Sequence, residues 1–194
     1  MTGAAGPQPE AFEARYRAHP DPWGTLTDPY EVAKRRRALE ACGPGPFERA
    51  CELGAGVGAL TAELAPRCGE LLALDAAPTA VDAARARLAP FPHAQARVAT
   101  IPADLPAGPF DLVVASEVLY YLDPDALEAV AAWAGRVLTA GGRLVAVHWT
   151  GTADDLRTDA ASVAATLRAR PDLGDTGAGS VQPGYRLDVL ERRP

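Results

Sequence analysis

Residues 51–60 read CELGAGVGAL, an apolar strand end that breaks into glycines at 54, 56 and 58 and then resumes as a helix. Glycine at alternate positions lets the backbone turn sharply, approach a ligand closely and expose its N–H groups at a helix start. The stretch before it, ERACEL, reads as a short strand, and GALTAELAPRC after it as a helix halted near Pro66. Strand, glycine loop and helix together form one β-α unit.

Outward from that unit, strand and helix signals alternate. LLALD is an apolar strand ending in Asp75, and PTAVDAARARLAP is a helix with Pro78 in its first turn. ARVATI and FDLVVASEV read as a third and a fourth strand. DPDALEAVAAWAGRVL reads as a helix begun at Asp123–Pro124 and closed by Gly141–Gly142, followed by RLVAVHW as a fifth strand. A helix over about 159–170 and a last strand, YRLDVLER, complete the pattern. Two helices precede the first strand: FEARYRA, with Phe12 and Tyr16 on one face, and a second that starts at Asp28–Pro29 and is closed by Gly43 after Cys42. Residues 1–9 are small and proline-rich, the composition of a mobile tail. Alternating units with apolar strands call for an α/β fold, a parallel sheet covered by helices on both faces. Its ligands are expected where the strands end, at the carboxyl edge.

Composition narrows the function. A chain of 194 residues accommodates one well-buried α/β domain. A net charge of −6 argues against nucleic acid or an anionic membrane surface as partner. Lys34 is the only lysine among 19 basic residues, a bias expected of GC-rich coding. Cys42, Cys51 and Cys68 have neither metal-site spacing nor a histidine set nearby, so reduced thiols and no metal are expected. The first twelve residues lack a basic and an apolar leader region, and no apolar run reaches spanning length. The expectation is a cytoplasmic protein, monomer or homodimer.

Along the carboxyl edge, the glycine loop fits two ligands. Gly54, Gly56 and Ala59 satisfy the dinucleotide fingerprint, whereas Glu52 with the three glycines forms an E-x-G-x-G-x-G loop suited to S-adenosylmethionine. A carboxylate at the strand tip repels a pyrophosphate and favours the ammonium of a methionine. Asp75, with Ala76 beside it, is placed to accept two ribose hydroxyls, which serves either ligand, although it also suits an N-terminal helix cap. The fourth strand ends in SEVLYYL, bringing Ser116, Glu117, Tyr120 and Tyr121 to the edge, and the fifth ends in His148 and Trp149. A histidine opposite a glutamate on the neighbouring strand is a candidate acid–base group.

These features resemble the class I S-adenosylmethionine-dependent methyltransferases, and more closely their nodulation S-like (NodS-like) group. The resemblance rests on DPWGTLTDPYEVAKRRRAL, ELGAGVGALTAELAPRC, LPAGPFDLVVASEVLYYL and VAVHW, and spans about residues 12–150. It implies a three-layer Rossmann-like fold with a seven-stranded, mostly parallel sheet and an antiparallel last strand. Residues 1–43 would form a tail and lid over a catalytic domain of residues 44–194. Trp23 and Tyr30 would pack near the cofactor, and Lys34 would reach its carboxylate. Where many relatives place an acid after the third strand to meet the adenine, this chain has VATIPADL, so Thr100 and Ile101 take that place and Asp104 falls a turn late. GDTGAGSVQPG is too glycine-rich for a regular strand at the far edge.

The resemblance implies methyl transfer to a small molecule, foremost the nitrogen of an amine or amino sugar, in bacterial secondary metabolism. His148 is the first candidate base, with Glu117 to orient it or act itself and Tyr120 or Tyr121 adding a hydroxyl. O-methylation of a phenol is the nearest alternative. An NAD-dependent oxidoreductase, or a methyltransferase fold running another reaction, stands further off.

Overall fold

A computed structural model describes residues 9–194; the tail expected over residues 1–9 lies almost wholly outside the described residues. Two helices come first, α1 (Pro9–Ala18) and α2 (Pro29–Cys42). The Asp28 carboxylate accepts the Tyr30 amide at 2.8 Å, and Pro29 opens the helix, so α2 starts where its sequence says. Then come β1 (Phe47–Leu53), α3 (Ala59–Leu64), β2 (Cys68–Asp75), α4 (Pro78–Leu88), β3 (Ala94–Val98) and β4 (Phe110–Ser116). The chain continues through α5 (Pro124–Val137), β5 (Leu138–Trp149), α6 (Ala160–Ala169), β6 (Leu173–Asp175), β7 (Ser180–Gln182) and β8 (Tyr185–Arg192).

The strands form one sheet in the order β3-β2-β1-β4-β5-β8-β6, with β7 also paired to β8. β1 to β5 are mutually parallel, and β8 runs antiparallel to β5. This is the expected Rossmann-like three-layer fold. Eight strands stand where seven were expected, because the far edge is split. β6 meets β8 at Leu190–Arg192 and β7 meets it at Tyr185–Leu187, with residues 176–179 looping out opposite Asp188 and Val189. The glycine-rich stretch thus interrupts the strand it would otherwise complete.

Two further boundaries differ from the sequence reading. β3 begins at Ala94 and ends at Val98, so Thr100 and Ile101 belong to the loop after it. β5 starts directly at Leu138, and Gly141–Gly142 lie inside it rather than ending a helix. Its pairing jumps from Phe110↔Leu138 to Leu112↔Arg143, and Gly141 sits in this bulge at φ 75°.

Strand alternation sorts the core into two layers. Ala50, Leu112, Val114, Val145 and Val147 pack against Leu39 of α2, Leu60 and Leu64 of α3 and Val81 of α4. Cys51, Leu53, Val113, Ala115, Leu144 and Ala146 pack against Leu127 and Trp133 of α5 and Val163 of α6. Cys42 and Cys51 are buried free thiols, and burial pushes both up to about 12.

Helix α1 is fastened to this body by an unusual cap. The N-cap residue of α4, Ala77, has no side-chain acceptor, and the first turn borrows one from α1. Glu13 accepts the Thr79 amide at 2.9 Å and the Thr79 hydroxyl at 2.7 Å. These bonds, the backbone N–H foremost, hold the Glu13 carboxyl below its ordinary value. Glu13→Ala is therefore expected to speed amide exchange in α1 and in the first turn of α4, with β1 and β4 remaining protected. Unchanged protection of α1 would show that the cap does not hold it.

Candidate functional site

The carboxyl ends of β1, β2, β4 and β5 open into a cavity of about 660 Å³, roofed by α1, α2 and the segment between them. Its wall includes every residue expected at the cofactor: Trp23, Tyr30, Lys34, Glu52, Gly54, Gly56, Asp75, Ala76, Thr100, Ile101 and Ser116. Glu117, Tyr120 and Tyr121 line it as well; His148 does not.

The glycine loop is shaped by what lies against it. Gly54 has φ 71°, and a Cβ there would stand 2.6 Å from the Cβ of Val118, just past the tip of β4. Gly56 has φ 53°, and a Cβ there would meet the Tyr16 hydroxyl at 2.8 Å. The first glycine thus lets two strand tips approach, and the second lets α1 lie on the loop. Asp75 ties the loop to the next turn. One oxygen accepts the Gly56 amide at 2.8 Å and the other the Ala77 amide at 2.9 Å. Each carboxylate oxygen has two acceptor directions, and with the Ala76 amide also lying against this carboxylate, acceptor capacity for a ligand still remains. Burial raises the Asp75 carboxyl above its ordinary value, and the backbone amides counter that rise.

Glu52 is buried beneath the loop, and its Oε2 has no hydrogen-bond partner. Burial pushes this carboxyl up to about 8, against the opposing effect of the neighbouring Thr61 hydroxyl. An unpaired buried acceptor of this kind is costly unless something fills the space beside it. At the opposite wall, the Thr100 amide is already taken by Asp104 at 2.8 Å. The residue a turn too late therefore organises this loop from behind, which leaves the Ile101 region facing the cavity.

Past the β4 tip the chain enters an uncommon conformation. Glu117 has φ 57°, the only positive φ outside glycine among the described residues. A left-handed backbone at a residue with a side chain costs about 1–3 kcal/mol and persists where the surroundings enforce it. Its amide bonds Val147 O at 2.8 Å. Its carboxylate accepts Lys34 Nζ at 2.6 Å on one oxygen, and the Trp149 amide at 2.9 Å with the Tyr120 hydroxyl on the other. Lys34 also donates to Glu31 at 2.8 Å. Burial works against the Lys34 charge, but the two carboxylates outweigh it and its pKa is raised. Lys34 is thus engaged with side chains of this protein instead of standing ready as a lone cation for a ligand carboxylate. Burial, reinforced by Glu117, lifts the Tyr120 hydroxyl far above its ordinary value, so it is a neutral phenol throughout the physiological range.

His148 overturns one expectation. It is 1 % exposed, and its Nε2 accepts the Leu119 amide at 3.2 Å. Alternation along β5 explains this: Val147 faces α2–α4, so His148 points to the α5–α6 side, beneath the Tyr120 ring at 5.1 Å. Burial lowers its pKa to about 4, keeping it neutral. Its bond to the Leu119 amide fastens the turn that carries Tyr120.

Several cavity residues were not singled out for the site in the sequence. Phe12, Arg15 and Tyr16 of α1 form an aromatic and cationic roof with Trp23. Tyr16 stacks edge-on to Trp23 at 5.4 Å, and Phe12 meets Tyr121 at 4.9 Å. Arg15 reaches across to Asp155 at 2.7 Å. The apolar spacing of Phe12 and Tyr16 was visible; what it faced was not.

Known proteins resemble this chain in sequence and in fold. Residues 51–144 match a family described as a methyltransferase domain. Nodulation protein S of Rhizobium tropici is 36 % identical over 133 residues, 68 % of this chain and 56 % of that protein. The chain spans about half the length of the nodulation protein S relatives it matches. The crystal structure of the N-methyltransferase NodS from Bradyrhizobium japonicum WM9, in complex with S-adenosyl-L-homocysteine, superposes with a TM-score of 0.85. It is 25 % identical, with 97 % of this chain and 100 % of that one covered. A Pseudomonas syringae protein described as a presumptive methyltransferase is 35 % identical, with a TM-score of 0.73 and coverage of 84 % and 99 %. The chain belongs to the class I S-adenosylmethionine-dependent methyltransferases, in their NodS-like group.

The buried carboxyl of Glu52 makes stability depend on pH. Its folded pKa, about 8, lies above the ordinary 4.5, so the folded protein holds a proton that the unfolded chain releases. The Glu52 contribution to stability is expected to fall as pH rises from about 4.5 to about 8; His148, whose folded pKa is lowered to about 4, offsets it below about 6.5, so Glu52→Gln is expected to remove the fall between about 6.5 and about 8. Urea titrations of both proteins across this range provide the check; equal slopes would mean Glu52 is already ionised.

Proposed function

We propose that this chain transfers the methyl group of S-adenosylmethionine to the nitrogen of a small-molecule amine. The observation that carries the proposal is that one cavity holds both halves of such a site. Glu52, Gly54, Gly56 and Asp75 line one part, and Glu117, Tyr120, Tyr30 and Trp149 line the other. The cavity volume lies within the range of small-molecule sites.

The residues present fit the cofactor. The orphaned Glu52 Oε2 suits the ammonium of the methionine end, and the remaining acceptor capacity of Asp75 suits ribose hydroxyls. Ala76, Ile101 and Ser116 complete its wall, with Trp23 and Tyr30 above. The sulfonium, when bound, supplies a methyl group already activated for transfer. What remains for the protein is to align the acceptor and exclude water. Helices α1 and α2, with the segment joining them, serve as the lid. Tyr30 and Trp149 are about two-fifths exposed and flank the Glu117 carboxylate, an arrangement that suits a cationic amine. Glu117 is the base: it holds the amine and takes its proton, while Tyr120 orients both through its neutral hydroxyl. Amino sugars are the first acceptor class to test, in a cytoplasmic setting.

Turnover with methyl-labelled cofactor against amino sugars, amino acids, simple amines and phenols tests the reading. Label on nitrogen is expected; label on a phenol would replace it with O-methylation, and calorimetric binding of NAD alone would remove the cofactor assignment. Glu117→Gln is expected to lower transfer at least about tenfold, some 1.4 kcal/mol of barrier, with affinity for S-adenosylhomocysteine retained. Asp75→Ala is expected to act the other way, weakening cofactor binding first.

A further inference from the structure

Lys34 stands apart in composition and in place. The chain has 18 arginines and this one lysine, and the lysine is among its few buried charged side chains. Ammonium and guanidinium are not interchangeable: the first is a compact point charge, the second a broad planar fork. At this position the ammonium fits between two carboxylates, Glu31 Oε1 at 2.8 Å and Glu117 Oε1 at 2.6 Å, with the Tyr30 ring centroid 5.2 Å away. Glu31 and Tyr30 share α2 with it, whereas Glu117 belongs to the strained residue at the β4 tip. The contact therefore joins the roof of the cavity to its acceptor wall.

We infer that Lys34 is a positioning residue whose ammonium fixes the Glu117 carboxylate, so that the acceptor wall is complete only while α2 is seated. This rests on the reading of Glu117 as the acceptor's base. The other two donors to that carboxylate, the Trp149 amide and the Tyr120 hydroxyl, come from the body of the domain and grip the opposite oxygen. Among the described residues Lys34 alone grips Oε1, and it alone brings a full positive charge. Around Glu117 stand Lys34 and Tyr30 from α2, Tyr120 and Tyr121 from the turn after β4, and His148 from β5. His148 is neutral above about pH 4, and the tyrosines are uncharged, so Lys34, with the Glu31 carboxylate on its other side, sets the local charge.

The decisive measurement is the titration of Glu117 itself, by carbon-13 NMR of glutamate-labelled protein without cofactor, assigned with Glu117→Gln. Lys34→Met is expected to displace the Glu117 carboxyl titration curve from that of the wild type, because the variant removes the one full positive charge on that carboxylate. Lys34→Arg restores the charge but not the fit between the two carboxylates, so it recovers only part of that displacement. Glu31→Gln, which frees the ammonium from its second carboxylate and leaves Lys34 intact, is expected to move Glu117 in the opposite direction. In turnover, Lys34→Met lowers kcat more than it raises KM for cofactor and moves the acid limb of kcat/KM upward, an effect absent in the Glu117→Gln background. Identical Glu117 titrations in wild type, Lys34→Met and Glu31→Gln would overturn the inference. The titrations need no turnover, so failure to methylate any amine would remove the proposed function and leave this result standing.

Discussion

Buried backbone amides need partners, and in the sharp turn out of β1 the Ala55 amide finds Leu74 O and the Gly58 amide finds Ala55 O, which leaves the Gly56 amide to a side chain. The Asp75 carboxylate meets that need. By taking the Gly56 amide on one oxygen and the Ala77 amide on the other, it joins the loops after β1 and β2. The loop conformation, the seat of Tyr16 above Gly56 and the start of α4 all depend on this bridge. A ligand meeting Asp75 thus meets a group already fixed in place, which limits what ordering it must impose.

The cavity is built from two kinds of support. Its floor is the parallel sheet, whose register sets the tips of β1, β2, β4 and β5 side by side. Its roof is added from the N-terminal helices through a few directed contacts: Glu13 to Thr79, Arg15 to Asp155, Arg35 to Glu63 and Lys34 to Glu117. Apolar packing holds the floor; in the roof, the packing of Leu39 in the core and of Tyr16 against Val57, Ala77 and Ala80 is supplemented by these polar pairs. Polar pairs of this kind open at lower cost than a packed core does, as access to an enclosed site requires.

Local chemistry was legible in the sequence where the signal was itself local. Asp28–Pro29 and Asp123–Pro124 mark helix starts because cap and first turn are neighbours in the chain. The glycine loop, Asp75 and Glu117 line the cavity for a shared reason, each standing at the end of an apolar strand. His148 failed because strand alternation leaves open which face a residue takes until a neighbour is known. One step along β5 separates the α2–α4 side from the α5–α6 side. Gly141–Gly142 misled in a related way: a glycine pair reads as a stop, yet here the pairing with β4 absorbs it as a bulge. The Lys34–Glu117 pair spans 83 positions, a distance over which spacing carries no information.

The split of the far edge has a further consequence. An open sheet edge offers unpaired amides and carbonyls to any extended chain that drifts against it, and long flat edges are where sheets stack into aggregates. Here that border is two three-residue pieces separated by a four-residue kink, too short and too bent to template another strand. The glycines that spoil a regular strand thereby act as gatekeepers against aggregation, ending the sheet without closing it into a barrel.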